Sequence, residues 1–214
     1  MGSCYSVEGI NAPIIAQQQP ALCIDPNYVC QSNMLLKMKW QLSFTGDDRI
    51  IRDEYTKRNI LQIDSKALCW NALINLCAMD GRVLCTLDGK TQVFSYYHTK
   101  FQIINAYTNQ MIGLIERQPT GCFNVNQQFI VYGVNKNIIY NIEGSFYRMQ
   151  FVIRNAHGEI VAKSSRDFIK TGIFSNSYGI EIGQGNDVIV IAAIMTAVAK
   201  YKAQEAATEE NNHY

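Results

Sequence analysis

Charge is scarce in this chain of 214 residues: only 17% are charged and the net charge is +1. That balance provides no electrostatic footprint for a polyphosphate backbone, so nucleic acid is not an expected partner. The seven cysteines, at 4, 23, 30, 69, 77, 85 and 122, form no CxxC pair, and no histidine stands at ligand spacing from them. Neither a disulfide framework nor a zinc site is therefore expected, and reduced thiols on the cytoplasmic side of the cell are the simpler reading. The first 30 residues lack a basic stretch followed by an apolar run, so no secretory signal is expected, and no Asn-x-Ser/Thr acceptor occurs. No low-complexity linker exceeds Gln17 to Gln19, which makes a single domain the default.

Catalytic motifs are also missing. No GxSxG elbow is present, and His98, His157 and His213 fall at a strand end, in a hairpin turn and in a polar tail. Gly183-Gln184-Gly185 opens a helix but lacks the third glycine of a dinucleotide fingerprint, and Gly89-Lys90-Thr91 has Leu84 where a P-loop needs its first glycine. Both read as turns. The expectation is a protein that is not an enzyme and has no metal, cofactor or catalytic residue.

What the chain does have is a helix with no polar face. Asp187 to Lys200 reads DVIVIAAIMTAVAK, and Val188 through Met195 are all apolar, covering every side of two helical turns. The apolar run to Ala199 is about 18 Å long at 1.5 Å per residue, too short for a hydrocarbon core of roughly 30 Å. Protein must then surround it. Val188, Ile191, Ile194, Met195 and Val198 are the expected core, alanines at 192, 193, 197 and 199 keep the rod slim, and Asn186 or Asp187 caps its start. Lys200 and Lys202 are expected near its negative end.

The rest of the chain reads as short strands. Leu36, Met38, Trp40, Leu42 and Phe44 alternate strictly with Lys37, Lys39, Gln41 and Ser43, and Gly46-Asp47-Asp48 turns the strand back into Arg49 to Glu54. INLCAMDGRVLCTL, FQIINAYTNQMIGLI and FVIRNAHGEIVAKS repeat one hairpin plan around Asp80-Gly81, Thr108-Asn109 and His157-Gly158. Gln92 to Tyr97, Gln128 to Val134, Ile138 to Ile142, Ser145 to Gln150, Phe168 to Phe174 and Tyr178 to Ile182 supply further strands. A sandwich would leave the terminal helix outside and amphipathic. The expected fold is therefore mainly β, a closed antiparallel barrel of about twelve strands around the C-terminal helix, whose lumen leaves no wide ligand pocket.

Ahead of the barrel, MGSCYS fits the N-myristoylation pattern: Gly2 once Met1 is removed, with Ser6 at the fifth position and Cys4 as a second acylation site. Two acyl signals anchor stably where one binds marginally. Residues 1–22 are expected as a flexible arm, 23–205 as the barrel domain and 206–214 as a polar tail.

From Cys23 to Tyr201 the chain resembles the LURP-one-related family, in the wider tubby-like and phospholipid scramblase group. The resemblance is carried by IDPNYVC, LLKMKWQLSFTGDDRIIRD, INLCAMDGRVLCTL, YNIEGSFYRMQFVIRNAHGEIVAKSSRDF and NSYGIEIGQGNDVIVIAAIMTAVAKY. It implies a twelve-stranded barrel around a central C-terminal helix. It also implies a link to membranes or signalling: tubby-like domains bind phosphoinositide head groups through surface basic residues, scramblases move phospholipid with calcium, and plant members are tied to pathogen defence.

Few carboxylates lie between Glu181 and Asp187, which counts against calcium-driven transport. Lys37, Lys39, Arg49, Arg52, Lys57 and Arg58 are the candidate lipid-binding residues, with Lys163, Arg166 and Lys170 a looser group; a solvated mixed-charge face is the plain alternative. The leading expectation is a monomeric, membrane-peripheral module at the inner face of the plasma membrane that takes anionic lipids, phosphoinositides or a protein partner. A scramblase-like transporter and a soluble defence adaptor are the alternatives.

Overall fold

The computed structural model describes residues 7–39, 49–65, 73–91, 98–118, 127–145, 149–168 and 177–211. Twelve antiparallel strands close a barrel in chain order: β1 Met34–Lys39, β2 Arg49–Asp53, β3 Asn59–Ser65, β4 Leu73–Cys77, β5 Val83–Thr91, β6 His98–Asn105, β7 Gln110–Arg117, β8 Gln127–Gly133, β9 Ile138–Ser145, β10 Gln150–Asn155, β11 Ile160–Ser165 and β12 Ser177–Ile182. Closure is made by β1 against β12, from Met34 opposite Ile182 to Lys39 opposite Ser177. The helix α1, Val188–Asn211, follows β12 after a turn at Gly183 to Asn186.

The alternation that marks these strands points one row inward. Leu36, Ile51, Leu61, Leu76, Leu87, Ile103, Ile115, Val131, Ile142, Ile153 and Ile180 are buried, and with them α1 from Val188 to Ala199. Val188, Ile191, Ile194, Met195 and Val198 are each at most 2% exposed. Thr196, the single hydroxyl in this run, donates to the Ala192 carbonyl at 2.7 Å and so carries no unmet polar group into the core. Tyr201 closes the far part of the lumen, its ring 5.3 Å from Phe101 and 5.1 Å from Phe129.

Asp187 fixes where the helix begins. One carboxylate oxygen accepts from the backbone N–H groups of Ile189 at 2.7 Å and Val190 at 3.3 Å, capping the first turn. The other accepts from Ile24 at 2.6 Å and Asp25 at 3.2 Å, drawing the segment before β1 onto the helix start. Burial pushes this carboxyl up, against the four N–H donors that favour its charged form. Gly185, at φ +83, lets the preceding turn pass so close to Gln17 that a Cβ there would meet the Gln17 backbone.

Residues 7–17 of the segment expected as a flexible arm lie along the outside of the barrel. Val7 and Ile10 pack with Val152 and Ile160, and the N–H of Ile15 donates to the Ile160 carbonyl at 2.8 Å. Lys163 lies 8% exposed beneath this segment, donating to the Ala12 carbonyl at 3.0 Å and pairing with Glu181 at 3.4 Å.

Several expectations change. Asn59–Ser65 is a strand that no reading of the chain separated out. Ser145 closes β9 and Gln150 opens β10, so the two ends of the expected Ser145 to Gln150 strand belong to other strands, and Phe168 ends a 3-10 turn from Arg166; residues 146–148 and 169–174 lie outside the described residues. The helix runs on to Asn211, which places Lys200 and Lys202 within it and takes in the start of the polar tail. The Gly46-Asp47-Asp48 turn, residues 40–44 and the Gln92 to Tyr97 strand lie outside the described residues.

Two outcomes test this architecture. Ile191→Asp places an unpaired charge in the lumen and should abolish cooperative thermal unfolding, whereas Leu73→Asp, at an exposed position, should leave the midpoint nearly unchanged. Asp187→Ala should cost about 2–4 kcal/mol in denaturant unfolding, since it strips a cap and leaves buried N–H groups unpaired. Amide exchange at Ile24 and Asp25 should accelerate in that variant; unchanged protection there would show that the carboxylate does not hold the segment.

Candidate functional site

With the lumen occupied, recognition falls to the outer wall and the ends. On the wall, β1, β2 and β3 bring Lys37 opposite Arg52 and Arg52 opposite Asn59. With Ile50 these residues line an open groove of about 270 Å³. Like charges directly opposite on adjacent strands repel, a repulsion that a carboxylate beside only one of the two offsets in part. Arg52 has a partner at its rim: its guanidinium donates to Glu54 at 2.9 Å, and Lys57 reaches the other oxygen of the same carboxylate. The two cations hold the Glu54 carboxyl below the usual carboxylate range, with the Lys57 hydrogen bond the larger cause. Among the described residues, nothing pairs with Lys37.

A second groove, of about 480 Å³, opens at the end of the barrel where α1 starts. Tyr28, Met34, Ile60, Met79 and Val188 give it apolar walls and Asn27, Gln31, Ser32 and Asn59 a polar rim. Beside it, Tyr107 donates its hydroxyl to Asp25 at 2.9 Å and carries the Arg82 guanidinium 5.7 Å above its ring. Hydrogen bonds from the Asn27 N–H and from Tyr107 hold the Asp25 carboxyl below its ordinary range.

The structure brings Lys37, Arg52, Lys57 and Arg58 to one side of the barrel, on β1, β2 and the β2–β3 turn. The backbones of Lys39 and Arg49 lie on the same two strands; their side chains, and Gly2 and Cys4, are outside the described residues. In the looser basic group, Lys163 is spent on the N-terminal segment and Glu181, Arg166 is exposed on the 3-10 turn, and Lys170 lies outside the described residues. A lysine on a strand looks the same in sequence whether solvent or another segment covers it, so this role left no signal.

Three of the described thiols, Cys23, Cys30 and Cys85, are poorly suited to nucleophilic work. Burial, followed by the Asp187 carboxylate, pushes Cys23 and Cys30 up to about 11 and Cys85 up to about 12. Among the described residues, no three His, Cys, Asp or Glu side chains gather where they could hold a metal ion.

Comparisons with known proteins agree with the fold. A crystal structure of an Arabidopsis thaliana protein superposes with a TM-score of 0.62, covering 84% of this chain and 98% of that one. At 14% identity, that likeness concerns the fold alone. No curated protein matches the chain. The family profile described as LURP-one-related matches residues 33–199, from just before β1 into the enclosed part of α1. The chain belongs to the LURP-one-related family.

Proposed function

We propose that this protein is a non-enzymatic, membrane-peripheral module that binds anionic phospholipid head groups at the Lys37–Arg52 groove and is tethered by acyl groups on Gly2 and Cys4. The observation that carries the reading is the facing pair of cations on an open wall. A phosphate placed between them would relieve their repulsion and accept from both, and the Asn59 amide lies alongside. A family fold whose lumen holds its own helix fits a lipid- or protein-binding module. Phosphoinositides, with several phosphates on one ring, are the head groups best matched to paired cations.

The transporter alternative has less support. No described helix is long and apolar enough to cross a membrane, and α1 is already enclosed by strands. A cytoplasmic protein at the inner leaflet accords with the MGSCYS acylation pattern.

Binding to phosphatidylserine vesicles, read by co-sedimentation, should fall as salt rises. Lys37→Glu with Arg52→Glu should weaken it by roughly tenfold or more, each basic residue near such a surface contributing about 1 kcal/mol. Adding a phosphoinositide should raise wild-type binding more than that of the double variant. Salt-independent failure of both acylated and bare protein to pellet would refute the membrane reading and leave the protein-partner one. In cells, Gly2→Ala should release the protein from the membrane fraction, and Cys4→Ser should release it in part.

A further inference from the structure

Strand direction alternates around the closed barrel, so the turns β2–β3, β4–β5, β6–β7, β8–β9 and β10–β11 all lie at the end where α1 begins. Four successive turns each carry an exposed large apolar side chain: Tyr55 and Val134 stand free at 66% and 62% exposed, whereas Met79 borders the second groove and Tyr107 is held by Asp25, at 42% and 47%. Exposed apolar residues scattered singly need no explanation; one on every tip of a contiguous arc does.

The same turns carry a second irregularity. Each contains one residue in the left-handed region, where glycine or asparagine is favoured: Gly81, Gly158 and Asn109 occupy it in three, but Lys57 at φ 59 and Lys136 at φ 61 in the others. Turn geometry alone gives no reason for lysine. Charge points the same way. Lys57, Arg58, Arg82 and Lys136 are exposed on this arc. Two carboxylates stand among them: Asp80, 64% exposed, lies 3.8 Å from the Arg82 guanidinium, and Glu54, largely buried, is held by Arg52 and Lys57. The fifth turn, with His157 and Glu159, has neither a large exposed apolar residue nor a lysine and lies outside the arc.

A protein partner would favour a contiguous apolar centre ringed by polar groups. The apolar groove at this end is walled by Tyr28, Met34, Ile60 and Val188, all partly or fully buried, while the exposed tips beyond it alternate along the chain with Lys57, Arg58, Arg82 and Lys136. That interleaving suits a bilayer, where apolar tips pass the phosphates and basic groups remain beside them. We infer that this end of the barrel faces an anionic bilayer, with Tyr55 and Val134 entering the interface, Met79 and Tyr107 at its edge, and Lys57, Arg58, Arg82 and Lys136 beside the phosphates. The inference rests on the membrane-peripheral reading and adds an orientation to it. Lys37 and Arg52 lie a few residues up the adjoining wall, within reach of head groups at that surface.

The test uses the full-length protein with single tryptophans added to native Trp40 and Trp70, and vesicles of phosphatidylserine with acyl-brominated phosphatidylcholine. Tyr55→Trp and Val134→Trp should each gain a quenched, blue-shifted component over wild type. Leu73→Trp, exposed at the opposite end of β4, should gain none. Arg58→Glu with Lys136→Glu should weaken co-sedimentation roughly tenfold at an unchanged thermal midpoint. Normal pelleting with quenching at Leu73→Trp, or at no added tryptophan, would overturn the orientation while leaving the membrane reading intact. Failure of wild type to pellet, acylated or bare, would overturn both.

Discussion

A helix without a polar face can meet water on no side, and everything else in this molecule answers to that constraint. An α-helix with its side chains is about 10 Å across, and a wall must stand off from it by another layer of side chains. Strands spaced about 4.8 Å apart and tilted by about 40° close at a backbone radius of roughly 12 Å when there are twelve, and roughly 8 Å when there are eight. The larger radius admits a rod and its packing layer; the smaller does not. Alanine at 192, 193, 197 and 199 narrows the rod. The aromatic cluster of Phe101, Phe129 and Tyr201 fills the space farther along it.

Enclosure also demands a defined starting point, because a buried helix terminus would otherwise leave N–H groups without water. Asp187 meets this with one carboxylate that serves two segments, the first turn of α1 and the backbone at Ile24 and Asp25. The cost appears in the raised affinity of that carboxyl for its proton. Its return is that the chain preceding β1 is drawn to the helix start. The segment before that is laid over β10, β11 and β12 by Lys163, Ile160 and Gly185.

Much of this was legible in the residues and some of it was not, for physical reasons. The helix was legible because an apolar surface all round has few solutions. The hairpins at Gly81, Asn109 and Gly158 were legible because positive φ restricts residue choice. β3 was missed because its buried residues, Leu61 and Ile63, are only two, set among polar neighbours. The continuation of α1 to Asn211 was carried by propensity, in KAQEAATEEN, and not by hydrophobic pattern. At the candidate site, alternation placed Lys37 on an outward face but could not set it opposite Arg52, since that depends on register between strands. The N-terminal contacts bridge more than a hundred residues and leave no local trace.

A filled lumen moves recognition to the surface, and the barrel's topology then limits where apolar and basic groups can be combined. Outward positions on the wall mix charged groups with apolar residues set singly, such as Ile50 beside Lys37 and Arg52. Turns are different: each projects a side chain clear of the wall, and closure sets alternate turns at one end. Tyr55 and Lys57 share the turn that follows Arg52 on β2. The groove and the arc of turns therefore form one continuous surface running from the wall over the rim. Electrostatic attraction acts over about 8–10 Å at physiological ionic strength and would bring that surface to an anionic leaflet, while apolar contact acts only at the rim. The two effects are ordered in distance as well as in space, which is what reversible attachment at a membrane requires.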